Sequence, residues 1–196
     1  MEPPVLRTQR LTLSTPVPDD RARVVEYCQD ELFRDYLTLP WPYTENDAVF
    51  FLESLVPDGW REEREFTWAL RETQWSPLLG VVGLRVQAEP RTIDVGYWLG
   101  APHRGSGYTA EAVRRVVAWA FETLPVDAVL WECVAGNHAS ANVARASGFR
   151  YTGERPSRVA MRDGRHPDAW HAELHRGDHA AEAAQSWPAG RLGSVL

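Results

Sequence analysis

Residues 103–115, HRGSGYTAEAVRR, place two glycines directly behind an arginine and in front of a stretch with helical spacing. Apolar residues then recur at intervals of three and four up to Leu124, which predicts a helix that Pro125 ends. Glycine adopts the positive φ angles of a tight turn, and a helix N-terminus presents free N–H groups that bind phosphate. The stretch therefore fits a dinucleotide site, a site for another phosphate, or a turn with no ligand.

The dinucleotide interpretation rests on GSGYTA (105–110), which satisfies the loose signature G-x-G-x-x-G/A. In that fold the strand runs straight into the glycines, and an acidic residue closes the next strand about 20 residues later. Here APHR (101–104) intervenes, and Asp127 opens the next strand. A lysine-dependent phosphate loop is excluded, since all 21 basic residues are arginine. Arg104 beside the helix start favours a different phosphate site over a bare turn.

The composition is that of a globular domain, with 44% hydrophobic and 24% charged residues among 196. The net charge of -6 disfavours a dedicated nucleic-acid-binding protein. We find no apolar run of the roughly 20 residues that a membrane helix needs and no signal peptide, so the expected location is the cytoplasm. Cys28 and Cys133 are expected to be reduced thiols inside the core.

The hydrophobic pattern predicts a single α+β domain over residues 1–175 with a mixed, mostly antiparallel sheet. The tail, 176–196, is expected to be a short helix or disordered. Asp19 and Asp20 are predicted to cap the first helix, and Thr44 with Asp47 to form a capping box on the second. The predicted strands are 6–16, 65–72, 77–87, 92–100, 126–134, 149–154 and 168–175, and the predicted helices are 19–32, 44–55, 108–124 and 137–147.

Two motifs carry a resemblance to a known family. RGSGYTAEAV (104–113) resembles the R-G-x-G-x-A/G signature of the GNAT acyl-CoA N-acyltransferases. NHASANVARASGF (137–149) resembles their second signature, N-x-x-S followed by a helix and G-F. With LRTQRLTL (6–13), the chain is most similar to the RimJ/RimL branch, whose known members acetylate amino termini of ribosomal proteins. The resemblance covers about residues 5–175 and implies the GNAT fold, in which a splayed strand pair is flanked by helices.

The resemblance implies that acetyl-CoA enters between the splayed strands. Backbone groups of Trp98, Leu99 and Gly100 would pair with the pantetheine arm and the acetyl carbonyl, and Asn137 would cap the next helix and hydrogen-bond the pantetheine. Backbone amides of the glycine turn would hold the pyrophosphate. The residues of this turn are Arg104, Gly105, Ser106, Gly107, Tyr108 and Thr109. Thr109 departs from the family pattern, which has Ala or Gly there.

Two residues are candidates for acid and base chemistry. Glu132, five positions before Asn137, matches a glutamate that some protein N-acetyltransferases of the superfamily use as a base. The alternative is a partly buried carboxylate paired with an arginine. Ser140 is the candidate acid for the departing thiolate, and its alternative is local bonding to the backbone. Ala144 stands where many relatives carry a tyrosine acid, which favours a non-catalytic acyl-CoA-binding or regulatory protein as the competing function.

The predicted function is direct transfer of an acetyl group to a primary amine, either a protein amino terminus or a small molecule. Trp41 and Tyr43 would help to wall the acceptor side, or else form a packed hydrophobic plug. His171 and His175 have the i, i+4 spacing of a helical metal pair but lie in a predicted strand, so no metal is expected. The expected partners are the acceptor and a second copy of the chain in a homodimer, with no nucleic acid and no membrane.

Overall fold

The strands form one mixed sheet in the computed structural model, which describes residues 1–178, 183 and 185–188. The order is β1-β2-β3-β4-β5-β6-β8-β7. All neighbours are antiparallel except β5 and β6, which are parallel. The strands are β1 (Leu6–Arg7), β2 (Thr12–Ser14), β3 (Glu65–Arg71), β4 (Gly80–Val86), β5 (Thr92–Leu99), β6 (Ala128–Val134), β7 (Arg150–Pro156) and β8 (Asp168–His175). The predicted α+β class is confirmed, although the predicted first strand is a hairpin of two short strands.

Helices cover both faces of this sheet. They are α1 (Arg21–Cys28), α2 (Glu31–Tyr36), α3 (Glu45–Phe50), α4 (Val56–Arg61), α5 (Tyr108–Thr123) and α6 (His138–Ala146). A π-helical segment, Phe51–Leu55, joins α3 to α4, so the predicted second helix extends to Arg61. Among the described residues, no helix is both long and apolar enough to cross a membrane.

The predictions for the helix termini are confirmed only in part. Thr44 and Asp47 form the predicted capping box of α3. The helix predicted over 19–32 breaks at Asp30, whose side chain accepts a hydrogen bond from Leu32 N and starts α2. Asp20 does not cap α1, which corrects the prediction for this residue. Its buried carboxylate instead pairs with Arg71, at 2.5 Å, because the fold brings β3 against this turn.

Alternation along the strands sends side chains to two cores. The back core lies between the sheet and α5 and α6, and holds Trp68, Val82, Val95, Trp131, Trp170, Val113, Val116 and Ala141, among others. The front core lies between the sheet and α1, α2 and α3, and holds Val24, Tyr27, Phe33, Tyr43, Ala48, Ala69 and Val81, with Trp98 against it. Even-numbered residues of β5 and β6 therefore face the front.

The pair β5 and β6 separates along its length, as the resemblance implies. Only Thr92–Asp94 pairs with Ala128–Leu130. Beyond this point β5 stays bonded to β4, up to Leu99, and β6 stays bonded to β8, up to Val134. A gap therefore opens between residues 95–99 and 131–134, and we call this gap the wedge.

Both cysteines are buried free thiols, as predicted. Burial raises the pKa of Cys28 and of Cys133 to about 12. Cys28 belongs to the front core and Cys133 to the back core. Both thiols are therefore protonated at neutral pH, as expected for residues that pack rather than react.

Part of the C-terminal tail packs on the domain. Trp187 is buried in the back core, where its Nε1 donates to Phe149 O (2.8 Å). Its ring lies 5.8 Å from that of Trp131 and 5.3 Å from that of Tyr151. Residues 179–182, 184 and 189–196 of the predicted tail lie outside the described residues.

Candidate active site

The glycine turn opens into a helix start with free amides. Gly105 and Gly107 have φ angles of 78° and 76°, which only glycine adopts at little cost, and Gly107 is the N-cap of α5. The first amide bonded back into the helix is that of Glu111, which donates to Gly107 O (3.1 Å). The amides of residues 105–109 have no acceptor within the described part of the chain. They are the donors with which a helix start binds an anion.

Arg104 does not direct its charge into this turn. Its guanidinium pairs with Asp30 Oδ2 (2.7 Å), donates to Leu99 O (3.2 Å) and lies over the ring of Phe33. Its amide donates to Ala101 O (3.3 Å). The free amides therefore begin at Gly105. The sequence predicts that the Arg104 charge favours phosphate binding at this turn, but Asp30 already neutralises that charge.

Arg10, which the sequence did not indicate, braces the turn from the β1–β2 hairpin. It donates to Ser106 O (2.8 Å) and to Glu111 Oε2 (2.7 Å). Its guanidinium lies over the ring of Tyr108, 4.8 Å from the centroid. Burial raises the pKa of Glu111, but hydrogen bonds from Thr8 and Arg10 outweigh it and leave that pKa below its usual value. The anchored carboxylate fixes the first turn of α5.

The end of β5 is held against the front helices. The Trp98 ring packs 6.5 Å from Tyr27 and 6.0 Å from Phe33, whereas the Leu99 side chain points into the back core. A Cβ on Gly100 would lie 2.5 Å from the ring of Tyr27, so only glycine fits there. Among the described strands, none pairs with the wedge-facing backbone edge of residues 95–99.

The start of α6 brings two hydroxyl groups together beside the wedge. Asn137 caps this helix as predicted, since its side chain accepts from Ser140 N (3.1 Å). Ser140 Oγ lies 3.0 Å from the hydroxyl of Tyr97, which also accepts from Trp131 Nε1 (2.9 Å). Burial raises the pKa of Tyr97, so its hydroxyl is protonated at neutral pH. The sequence does not indicate Tyr97, because no sequence pattern shows that β5 and α6 meet here.

Glu132 lies on the front side of the wedge and is closely held. Its carboxylate accepts from Arg158 N (3.1 Å to each oxygen), Arg158 Nε (2.9 Å) and Val159 N (3.3 Å). His171 Nδ1 lies 3.4 Å away. This is the geometry of the alternative stated for this residue, a partly buried carboxylate paired with an arginine.

The predicted acceptor loop contains one core residue and one that reaches the surface. Tyr43 is buried in the front core, and burial raises its pKa. Trp41, joined to Pro42 by a cis peptide bond, is half-buried. Arg162, from the β7–β8 loop (157–167), donates to Leu37 O (2.9 Å), Leu39 O (2.6 Å) and Arg34 O. These bonds join the two loops on the front side of the sheet.

The comparisons with known proteins agree with this architecture. A sequence model of the acetyltransferase (GNAT) domain matches residues 10–150, most of the chain. The chain belongs to the GNAT acetyltransferase family. The uncharacterized N-acetyltransferase YoaA of Bacillus subtilis is 25% identical over 153 residues, which is 76% of this chain and 85% of that protein. The family makes this chain an acyltransferase.

Solved structures show the same fold as this GNAT domain. The microcin C7 self-immunity acetyltransferase MccE, in complex with acetyl-CoA and AMP, superposes with a TM-score of 0.74 at 19% identity, covering 86% of this chain and 94% of that one. RimL, the ribosomal L7/L12 alpha-N-protein acetyltransferase in complex with coenzyme A, gives a TM-score of 0.74 at 14% identity, covering 88% and 98%. At these identities the likeness establishes the fold alone.

Within the GNAT domain the predicted residues fall into distinct places. Trp98 lies on the β5 edge of the wedge, and Ser140 contacts Tyr97 on that same edge. Asn137 caps the helix that holds Ser140, and the glycine turn follows β5 along the chain. Glu132 lies on the front side of β6. Tyr43 is held in the front core. Thr109 is buried in the first turn of α5, and nothing in the structure explains the choice of threonine there.

Proposed function

We propose that this enzyme transfers the acetyl group of acetyl-CoA to a primary amine by direct attack in a ternary complex. The observation that carries the proposal is the wedge, which opens beside the free amides at the start of α5. The family and the structures of relatives that hold acetyl-CoA or coenzyme A support it. The two free thiols are in keeping with a cytoplasmic protein.

The residues present fit such a cosubstrate. The amides of residues 105–109 would bind the pyrophosphate, and a Cβ on Gly105 would meet nothing within 4 Å, so the space beside the turn is open. The unpaired backbone edge of β5 near Trp98 and Leu99 would bond the pantetheine amides, as would Asn137. Acetyl-CoA supplies the activated acetyl group, and the chain orients it toward the front of the sheet.

Ser140 is the proposed proton donor to the departing thiolate. The hydroxyl of Tyr97 donates to Ser140 O (3.0 Å) or shares a bond with its Oγ, and Tyr97 itself is held by Trp131. A serine oriented in this way can direct its own proton into the wedge. On the front side a carboxylate is needed to accept the proton of the amine, and Glu132 is the candidate that the sequence names.

The acceptor we favour is the α-amine of a protein. RimL, a structural neighbour, acts on a ribosomal protein by its name, and the sequence resembles that branch. A small-molecule amine is the competing acceptor for the same wedge. Both acceptors approach from the front side, between α2, α3 and the β7–β8 loop.

Measurement of thiol release from acetyl-CoA tests this function. The assay compares peptides with free amino termini, the same peptides with acetylated amino termini, and small polyamines. We expect release with free amino termini and none with the blocked peptides. Faster release with polyamines would identify a small-molecule acceptor. Tight acetyl-CoA binding without transfer to any amine would support the non-catalytic alternative.

A further inference from the structure

Two carboxylates lie at the front of the wedge, and within the described part of the chain one of them accepts no hydrogen bond. Glu132 already accepts hydrogen bonds from two backbone amides and a guanidinium, and a carboxylate has about four acceptor sites. A base needs a lone pair within reach of the proton that it takes. Glu132 has little acceptor capacity left for an incoming ammonium group.

Asp94 is that carboxylate. It is the last residue of β5 that pairs with β6, opposite Leu130, so it stands where the wedge opens. Its side chain faces the front, as does that of Trp98. Within the described part of the chain it makes no side-chain hydrogen bond and no ion pair. Its cross-strand neighbour Arg85 pairs instead with Glu65 (3.3 Å).

The charges around Asp94 come from every strand packed beside it. Arg85 lies on β4, Glu65 on β3 and Glu132 on β6, and Arg158 follows β7. Burial raises the pKa of Asp94 to about 6, against the lowering effect of the two arginines. A carboxylate with such a pKa is ionised at neutral pH and is a stronger base than an exposed aspartate.

Next to Asp94, the front face of the sheet carries two glycines. Gly96 is paired with Gly83, and Gly83 is paired with Thr67 on β3. A Cβ on Gly96 would meet nothing within 4 Å, and one on Gly83 would make only ordinary contacts. Residues 67, 83 and 96 of three neighbouring strands therefore form a patch without large side chains, which we call the Gly83–Gly96 floor. This patch leaves room for an amine and its first carbon atoms.

His171 lies opposite Glu132 on β8 and encloses that carboxylate further. It is 1% exposed, and its Nδ1 makes no hydrogen bond within the described residues. This atom faces Glu132 Oε2 at 3.4 Å from the front of β8, while Nε2 contacts Arg155 O (3.2 Å). Burial lowers the pKa of His171, so it is neutral there. Of the two front-facing carboxylates, Asp94 is therefore the one that accepts no hydrogen bond within the described part of the chain.

We propose that Asp94 is the carboxylate that binds the acceptor ammonium over the Gly83–Gly96 floor and takes up its proton. Glu132 is then a positioning residue, which holds Arg158 and Val159 at the mouth of the wedge. This assignment rests on the proposed function, and it moves the base from the residue that the sequence names to one that only the strand pairing reveals.

The step balances without another reactant. The acceptor ammonium gives one proton to Asp94, and the freed lone pair forms the C–N bond to the thioester carbon. The C–S bond breaks with its electron pair on sulfur, and Ser140 protonates the thiolate. The second amine proton returns to Ser140, directly or through water. Asp94 then releases its proton to solvent, which gives the amide, coenzyme A and one proton.

The first test is independent of turnover. Carbon-13 NMR of protein labelled at the aspartate carboxyl carbons identifies the Asp94 signal by its loss in Asp94→Asn, and ethylamine with coenzyme A serves as the probe. We expect this signal to titrate near pH 6, as burial implies, and to shift when ethylamine is added at pH 7. A signal that titrates near pH 4, the ordinary range, and ignores ethylamine overturns the proposal.

The second test uses the best acceptor of the thiol-release panel. Asp94→Asn should lower kcat by about 100-fold or more, keep the Kd for acetyl-CoA, and lose the rise of kcat/KM through pH 6. Glu132→Gln should raise the acceptor KM but keep that rise, and Asp19→Asn, an exposed matched change, should do neither. If Glu132→Gln loses the rise of kcat/KM through pH 6 and Asp94→Asn keeps it, the proposal is overturned. Failure of every amine to accept acetyl contradicts the proposed function, and the NMR result then decides the site by itself.

Discussion

At the residue scale, two hydroxyl groups carry the proposed protonation of the leaving thiolate. Ser140→Ala should lower kcat by about 10- to 100-fold, since a positioned general acid contributes at least that much, with acetyl-CoA KM nearly unchanged. Tyr97→Phe should lower kcat less, by about 5- to 10-fold, because it removes the group that orients Ser140. Steady-state kinetics of the two variants and of the double variant measure their coupling.

The control for these variants is Ser76→Ala, which removes an exposed hydroxyl bonded to Thr73 on another turn. It should keep full activity. If Ser140→Ala equals Ser76→Ala in kcat, the thiolate is protonated by solvent. If the double variant loses the full product of the single losses, Tyr97 acts independently of Ser140.

The buried carboxylate of Asp94 should lower the stability of the folded state at neutral pH. Its folded pKa, about 6, lies above the unfolded value because of burial. The folded state therefore binds this proton more tightly than the unfolded chain, and stability falls as pH rises from about 4 through about 6. Asp94→Asn should raise Tm at pH 7 by about 2–5 °C and leave it nearly unchanged at pH 4.

Thermal unfolding of Asp94→Asn and Asp19→Asn at both pH values checks this stability effect. A variant that gains Tm while losing turnover would show that Asp94 is kept for activity and not for packing. An Asp94→Asn protein that is less stable than the parent at pH 7 would instead show that the carboxylate is needed by the fold.

At the scale of elements, the β1–β2 hairpin supports the glycine turn, where we propose that the pyrophosphate binds. Arg10→Met removes the bonds to Ser106 O and Glu111, so the start of α5 loses its brace. The acetyl-CoA KM should rise by about 5- to 20-fold, with kcat within about 2-fold, because the contact affects binding before chemistry. Arg7→Met is the matched control, because Arg7 lies on the same hairpin and, as far as the structure describes the chain, its side chain bonds to Thr12 alone. Equal KM values for the two variants would mean that the turn holds its shape without the brace.

Elements that depend on local sequence were predictable, and contacts between elements were not. The positive φ of Gly105 and Gly107, the cap at Asn137 and the order of the strands along the chain follow from residue type and spacing. Arg10 and Glu111 are 101 positions apart, and Arg162 reaches a carbonyl 125 positions away. Such pairs leave no periodic signal. The Asp94 assignment likewise depends on where the pairing of β5 with β6 stops, which hydrophobic patterning does not encode.

At the scale of the whole molecule, two loops that are far apart in the sequence meet on the front side of the sheet, where we place the acceptor. The α2–α3 loop and the β7–β8 loop meet at Arg162, which donates to three backbone carbonyls around the end of α2. A six-residue helix leaves its last carbonyls without internal partners, and an arginine satisfies them well. The Arg162 guanidinium therefore links the α2–α3 loop to the β7–β8 loop and fixes the distance between them.

Replacing this guanidinium should affect one substrate only. Arg162→Met should raise the acceptor KM by about 5-fold or more and leave the acetyl-CoA KM unchanged, because the Arg162 side chain bonds to carbonyls at the end of α2 and not to the glycine turn. Arg165→Met is the matched control, since Arg165 is exposed in the same loop and its side chain pairs with no described residue other than Asp163. Initial rates with each substrate varied in turn separate the two KM values. A parallel rise of both would mean that Arg162 stabilises the entire fold, and no difference from Arg165→Met would mean that the loops hold their spacing by other contacts.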